Sequence, residues 1–176
     1  MEWYQPYFCE ENAWQALKHD LLDVPCQWVV FLSNPARACA LWAQSAAPVR
    51  GEPVFWDYHV VVMGRDEQGG RWIYDPDHVP GTTRTLEQWW GATFPMMAQV
   101  RASYRPWCRV VERDVFLKRF YSDRGHMKDA HGGWLKPPPP WPPLLGGDVG
   151  VMAWVDMVSD TIGQVFDAQG FERAYL

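Results

Sequence analysis

Val54-Phe55-Trp56-Asp57-Tyr58-His59-Val60-Val61-Val62-Met63 is the stretch from which the fold is read. It follows Glu52-Pro53 and is rich in β-branched and aromatic residues, which predicts one continuous strand. Residues 64–70 are polar and glycine-rich, and Arg71-Trp72-Ile73-Tyr74-Asp75 is a second strand-like run stopped by Pro76. Two such runs joined by a short glycine-containing loop predict an antiparallel hairpin. Pairing Met63 with Arg71 across the loop places His59 opposite Asp75. Directly opposed Cβ atoms on one sheet face lie about 4.5–5.5 Å apart, close enough for a carboxylate to accept from an imidazole N–H. A slip of one residue would separate the two. In this reading Asp57 shares the face of His59, while Trp56 and Tyr58 point to the opposite face, towards a core.

Working outward, Tyr7-Phe8-Cys9-Glu10-Glu11-Asn12-Ala13-Trp14 opens a helical pattern that predicts a helix over 9–22, ended by Pro25. Glu10 and Glu11 fall in its first turn, where acidic groups suit the dipole. Cys9 heads the helix, where unpaired backbone N–H groups favour thiolate over thiol. Residues 27–33 predict a buried strand, and 38–47 suit helix or strand equally. Thr85 is a candidate N-cap for a short helix over 86–90. Residues 107–112 predict a strand and 114–121 a helix. Residues 122–150 are a long polar and proline-rich loop containing Pro137-Pro138-Pro139-Pro140. After it the tail returns to the sheet near 162–166 and ends in a short helix.

The length of 176 residues suggests one domain, 1–176, with a core able to fold unaided. A net charge of −5 without a Lys/Arg cluster argues against a nucleic-acid partner. No apolar run is long enough to span a membrane, and no signal peptide is visible. Cys9, Cys26, Cys39 and Cys108 are widely spaced and read as free thiols, which points to the cytoplasm. Neither they nor the five histidines show zinc-ligand spacing, so no metal is expected. The expected protein is a cytoplasmic monomer without a cofactor.

Singly, Cys9 reads as a small buried hydrophobe, His59 as a structural histidine and Asp75 as a turn residue. Jointly they make a nucleophile, a base and a group that orients the base, the set for acyl transfer at a carbonyl. Residue chemistry alone leaves both readings open. The order Cys, His, Asp, with the Cys heading a helix and the others on strands, matches papain-like and transglutaminase-like folds. The fold class expected is therefore α/β (α+β), with a mainly antiparallel sheet.

Cys9-Glu10-Glu11-Asn12-x-Trp14, Trp56-Asp57-Tyr58-His59-Val60-Val61, Ile73-Tyr74-Asp75-x-Asp77, Ser122-Asp123-Arg124-x-His126-Met127-Lys128-Asp129 and the run from Pro137 to Pro140 resemble, in order and spacing, the protein N-terminal glutamine amidohydrolases. The resemblance covers about residues 7–147 and weakens in the tail. It implies a papain-like fold and hydrolysis of the side-chain amide of an N-terminal glutamine, feeding an N-degron pathway in eukaryotes. It places the catalytic trio on Cys9, His59 and Asp75. Selection of a chain end requires a group that reads the free α-ammonium, for which a carboxylate is suited; Asp57, Glu11 and Asp123 are the candidates. Arg124 reads as pairing with a buried Asp to hold the 122–150 loop, which could wall the cleft. The competing readings are a related cysteine peptidase, a transglutaminase, a deamidase of internal glutamines, and a non-catalytic module that binds N-termini.

Overall fold

The computed structural model describes residues 2–159 and 161–176. In chain order its elements are α1 (Cys9–Lys18), β1 (Cys26–Ser33), β2 (Cys39–Leu41), β3 (Val54–Trp56), β4 (His59–Arg65), β5 (Arg71–Tyr74), β6 (Thr83–Thr85), α2 (Leu86–Thr93), β7 (Trp107–Glu112), α3 (Arg113–Arg119), β8 (Phe120–Tyr121), β9 (Val149–Gly150), α4 (Val151–Trp154), β10 (Gln164–Asp167) and α5 (Ala168–Tyr175). Six strands form one sheet in the order β10-β7-β1-β4-β5-β6, antiparallel throughout. This is the mixed α/β, mainly antiparallel architecture expected from the sequence.

The sheet is buried on both faces, which explains why its strands read as unbroken apolar runs. Successive side chains of a strand go to opposite faces. Val29, Phe31, Val60, Val62 and Val111 pack under Ala13, Ala16 and Leu17 of α1, with Phe116 and Trp154. The alternate residues Val30, Leu32, Val61, Met63 and Val110 pack against Leu86, Trp89 and Trp90 of α2 and Phe171 of α5. Full burial of each such side chain stabilises by about 1.5–3 kcal/mol. The same packing lays α1 along β4 and so holds Cys9 near the start of the strand that carries His59.

The hairpin departs from expectation in two ways. Residues 54–63 are not one strand: β3 pairs with β2 in a separate sheet, whereas β4 pairs with β1. The break falls at Asp57, whose carbonyl accepts from Ser33 Oγ (2.6 Å) and whose Oδ1 accepts from the Tyr58 amide (2.9 Å). The register also differs by two residues, with Met63 opposite Ile73 and Arg65 opposite Arg71. The turn is tighter than expected because Asp66 Oδ1 takes the amides of Gln68 and Gly70, leaving Gly64 and Arg65 free to pair. A two-residue slip preserves the face. His59 and Asp75 therefore still meet, on the diagonal rather than directly opposed.

Other boundaries shift for local reasons. α1 stops at Lys18 rather than residue 22, and Asp20 adopts a left-handed conformation (φ 50). The ambiguous 38–47 segment supplies the strand β2. Thr85 caps α2, its side chain accepting from the Gln88 amide (3.3 Å). α3 ends at Arg119, and Phe120-Tyr121 extends to pair in parallel with Val149-Gly150. β10 and α5 form the expected tail.

The crossing from α4 to β10 is held by Arg109 of β7, which is 1% exposed. Its Nε donates to the Trp154 carbonyl (2.8 Å), and its terminal nitrogens donate to the carbonyls of Asp156, Ser159 and Ile162. Arg109→Met should leave these carbonyls unpaired and lower stability by about 3 kcal/mol or more, read as a lower urea midpoint.

Candidate active site

Cys9 is the first residue of α1, and it is partly exposed at a cleft of about 440 Å³. His59, Trp56, Asp57, Asp77 and His126 line the same cleft. Residues 127, 135 and 136 add to its wall, so the loop after residue 122 does border it. Asp75 lies behind His59 and is fully buried. Its Oδ1 is 3.0 Å from His59 Nε2 and accepts the Asp77 amide (3.1 Å). Its Oδ2 accepts from Trp89 Nε1 (2.9 Å) and Gln44 Nε2 (3.5 Å).

These contacts decide the charge states. Burial works to raise the pKa of Asp75, but His59, by charge and hydrogen bond, and then Trp89 hold it below the usual carboxylate range. Burial works to depress His59, but Asp75, followed by Asp77 and Glu10, raises it above the usual imidazole value. With Nε2 engaged by Asp75, Nδ1 is the ring nitrogen left for a second partner. Trp56 stacks on the imidazole, with ring centres 6.0 Å apart and planes 16° apart.

The thiol behaves differently from the sequence reading. Burial first, then the charges of Glu10 and Asp77, push Cys9 well above its ordinary pKa; an amide contact from Val60 works in the other direction but does not prevail. Its hydrogen bond is to Glu10 Oε2 (3.6 Å), not to His59. These surroundings favour thiol over thiolate despite its place at a helix start.

The three carboxylates expected to read an ammonium fare unequally. Glu11 is fully buried. Its Oε1 accepts from Ser122 Oγ (2.9 Å) and Arg124 Nε (2.8 Å), and its Oε2 from Arg124 Nη2 (2.8 Å) and Trp141 Nε1 (2.7 Å). It clamps the 122–150 loop and does not line the cleft. Arg124 thus pairs with Glu11 rather than with an Asp. Asp123 is exposed, accepts from the Gly125 amide (2.8 Å), and lines a neighbouring cavity. Asp57 does line the cleft, at an exposed position. Trp56 and Tyr58 also line it, contrary to the alternation argument, because the strand breaks beside them.

Sequence reasoning missed five contributors. Trp89 and Gln44 hold Asp75 from distant segments, and no local pattern announces them. Glu10 read only as a dipole-matched helix residue; it is fully buried, with Oε1 3.4 Å from His126 Nε2. His126, 3.3 Å from the Tyr58 hydroxyl, has its pKa raised, chiefly by Glu10. Asp77 stood in a quoted motif, two residues after Asp75, with no role assigned. His59, Asp75 and Asp77 are also the described trio able to offer ligand atoms to a metal, all within 4.8 Å of one another. Both oxygens of Asp75 are already engaged by hydrogen-bond donors, which suits a proton-handling pair.

Comparison with known proteins points to one family. The family model for N-terminal glutamine amidases matches residues 4–175, including the tail where the sequence resemblance weakened. A human protein named protein N-terminal glutamine amidohydrolase is 37% identical over 149 residues, covering 82% of this chain and 72% of its own. Relatives of the same name from Bos taurus (36% over 149 residues, 82% and 72%) and Arabidopsis thaliana (32% over 153 residues, 82% and 69%) match similarly.

Two outcomes follow from the buried anions. His59, raised when folded, contributes stability that is full below its unfolded pKa of about 6.5 and lost as pH rises through the folded value. Asp75, depressed when folded, contributes stability that is present above about 3.9 and lost as pH falls through the folded value. The stability advantage of the wild type over Asp75→Asn should therefore peak between about pH 4 and 6.5 in urea titrations. Glu11→Gln leaves Arg124 buried without its counter-charge; it should cost about 3–5 kcal/mol and expose the 122–150 loop to limited proteolysis.

Proposed function

The chain belongs to the N-terminal glutamine amidase family, and we propose that it hydrolyses the side-chain amide of an N-terminal glutamine in proteins or peptides, giving glutamate and ammonia. The observation that carries this reading is that His59, backed by buried Asp75, lines the same cleft as the helix-leading Cys9. Cys9 is the nucleophile, His59 the base and Asp75 the group that orients it.

As substrate docks, the Cys9 proton passes to His59 Nδ1, and Sγ attacks the carboxamide carbon. The tetrahedral oxyanion is met by backbone N–H groups at the start of α1, that of Cys9 first. The imidazolium returns the proton to the departing nitrogen, the C–N bond breaks, and ammonia leaves behind a thioester. Water, deprotonated by His59, attacks the thioester carbon; the C–S bond breaks and the proton returns to the thiol. The route uses side chains and water.

We read the fold as papain-like or transglutaminase-like. This is supported by a cysteine at a helix start packed on the antiparallel strand that bears the histidine. The chain acts as one catalytic domain. Four free cysteines support a reducing, cytoplasmic setting, and no described helix is long and apolar enough to cross a membrane.

A peptide beginning with Gln should gain about 1 Da and release ammonia, whereas internal or Nα-acetylated Gln should be left unchanged. Cys9→Ala should lower turnover by about 10⁴-fold or more with an unchanged circular dichroism spectrum. Backbone cleavage or amine incorporation by the wild type would instead favour the peptidase or transglutaminase reading.

A further inference from the structure

We propose that Asp77 is the residue that reads the free α-ammonium of the substrate. This rests on the amidase reading above and names the group that makes it specific for a chain end.

Asp77 is only 5% exposed, yet it lines the cleft beside Cys9 and His59. One of its carboxylate oxygens lies within 4.8 Å of a ring nitrogen of His59. Its backbone amide is bound to Asp75 Oδ1 (3.1 Å), so it is tied to the same turn as the triad. Its Oδ1 is fixed by the Tyr4 hydroxyl (2.6 Å) and Ser45 Oγ (3.1 Å). Its Oδ2 accepts no hydrogen bond among the described residues, and no Lys, Arg or His among them pairs with Asp77 within ion-pair distance. A buried carboxylate held on one oxygen and left without a counter-cation is costly unless a cation completes it.

Reach selects the same residue. In an extended glutamine the α-nitrogen lies roughly 5 Å from the amide carbon, and a charge-assisted hydrogen bond adds about 2.8 Å. The reader must therefore sit within one residue's length of the thiol and the imidazole. Asp123 lines another cavity, and Glu11 is consumed by the loop clamp. Glu10 does not line the cleft; its Oε2 takes the thiol and its Oε1 lies 3.4 Å from His126 Nε2. Asp57 is exposed, so water screens it.

The position has a consequence for the chemistry. Asp77 is one of the charges that hold the Cys9 proton in place. An ammonium docked on Asp77 would offset that charge at both the thiol and the imidazole, whose pKa values Asp77 raises together.

The test compares a Gln-initiated peptide with its desamino analogue, in which a 4-carbamoylbutanoyl group replaces Gln, on wild type and Asp77→Asn. The variant should lose about 100-fold in kcat/KM on the Gln peptide and little on the analogue, so the preference for the amine collapses. Equal losses on both would assign Asp77 to mere support of His59 and overturn the proposal. So would a collapse caused by Asp57→Asn and not by Asp77→Asn. Should Asp77→Asn misfold, Asp77→Ser carries the same comparison. Calorimetry in the Cys9→Ala background separates this proposal from the amidase reading. There, adding Asp77→Asn should reduce Gln-peptide affinity to that of the Nα-acetylated peptide, and unchanged affinity overturns the role of Asp77. Absence of ammonia release by the wild type overturns the amidase reading and leaves the calorimetric result standing.

Discussion

The buried carboxylate of Asp75 is the constraint around which the rest is arranged. An anion in a fully desolvated position is tolerated only when charge and hydrogen bonds replace the lost water. Here the donors come from four places: the head of β4, the α2 tryptophan, the segment after β2, and the backbone of its own turn. Satisfying Asp75 therefore ties the helix layer that contains α2 to the edge of the sheet and fixes the orientation of the imidazole. The same contacts keep the carboxylate ionised and the histidine ready to hold a proton.

A second buried anion does the corresponding work for the loop. Glu11 gathers Ser122, Arg124 and Trp141, residues more than a hundred positions away in sequence. Arg124 further donates to the carbonyls of Pro139 and Trp141, so the proline run is held against the clamp. Asn12, next in α1, exchanges two hydrogen bonds with the backbone of Gln5 and anchors the segment before the helix. The first turn of α1 is thus a polar hub inside the protein. This is why three consecutive polar residues, Glu10, Glu11 and Asn12, are all buried.

Much of this was legible in the sequence because it rests on period and punctuation. The β-branched runs marked β1, β4 and β7, Thr85 marked a capped helix, and the tail returned where its apolar residues recur. The meeting of His59 and Asp75 was legible despite a wrong register, since a shift of two keeps the side chains on one face. The break at Asp57 was not legible, because it depends on a hydroxyl from a neighbouring strand, Ser33, capturing a carbonyl. The fate of Glu11 was equally hidden. Nothing near it in sequence separates a solvated first-turn glutamate from one buried by a distant arginine. Asp77 was visible as a motif letter, but its burial and one-sided hydrogen bonding are properties of the turn it shares with Asp75.

The protonation of Cys9 shows how magnitudes settle a competition that residue types leave open. A helix N-terminus offers a thiolate about 0.3–1 kcal/mol, and only within its first turn. Desolvating an anion of that size costs several kcal/mol, and nearby carboxylates add repulsion at short range. Burial and the charges of Glu10 and Asp77 therefore win, and the balance favours the neutral thiol. Thiolate is the form that oxidants and stray electrophiles attack. A neutral sulfur is correspondingly less open to them. Under the proposed function, the acidic surroundings that look unfavourable for a catalytic cysteine are the same feature that would attract a positively charged chain end.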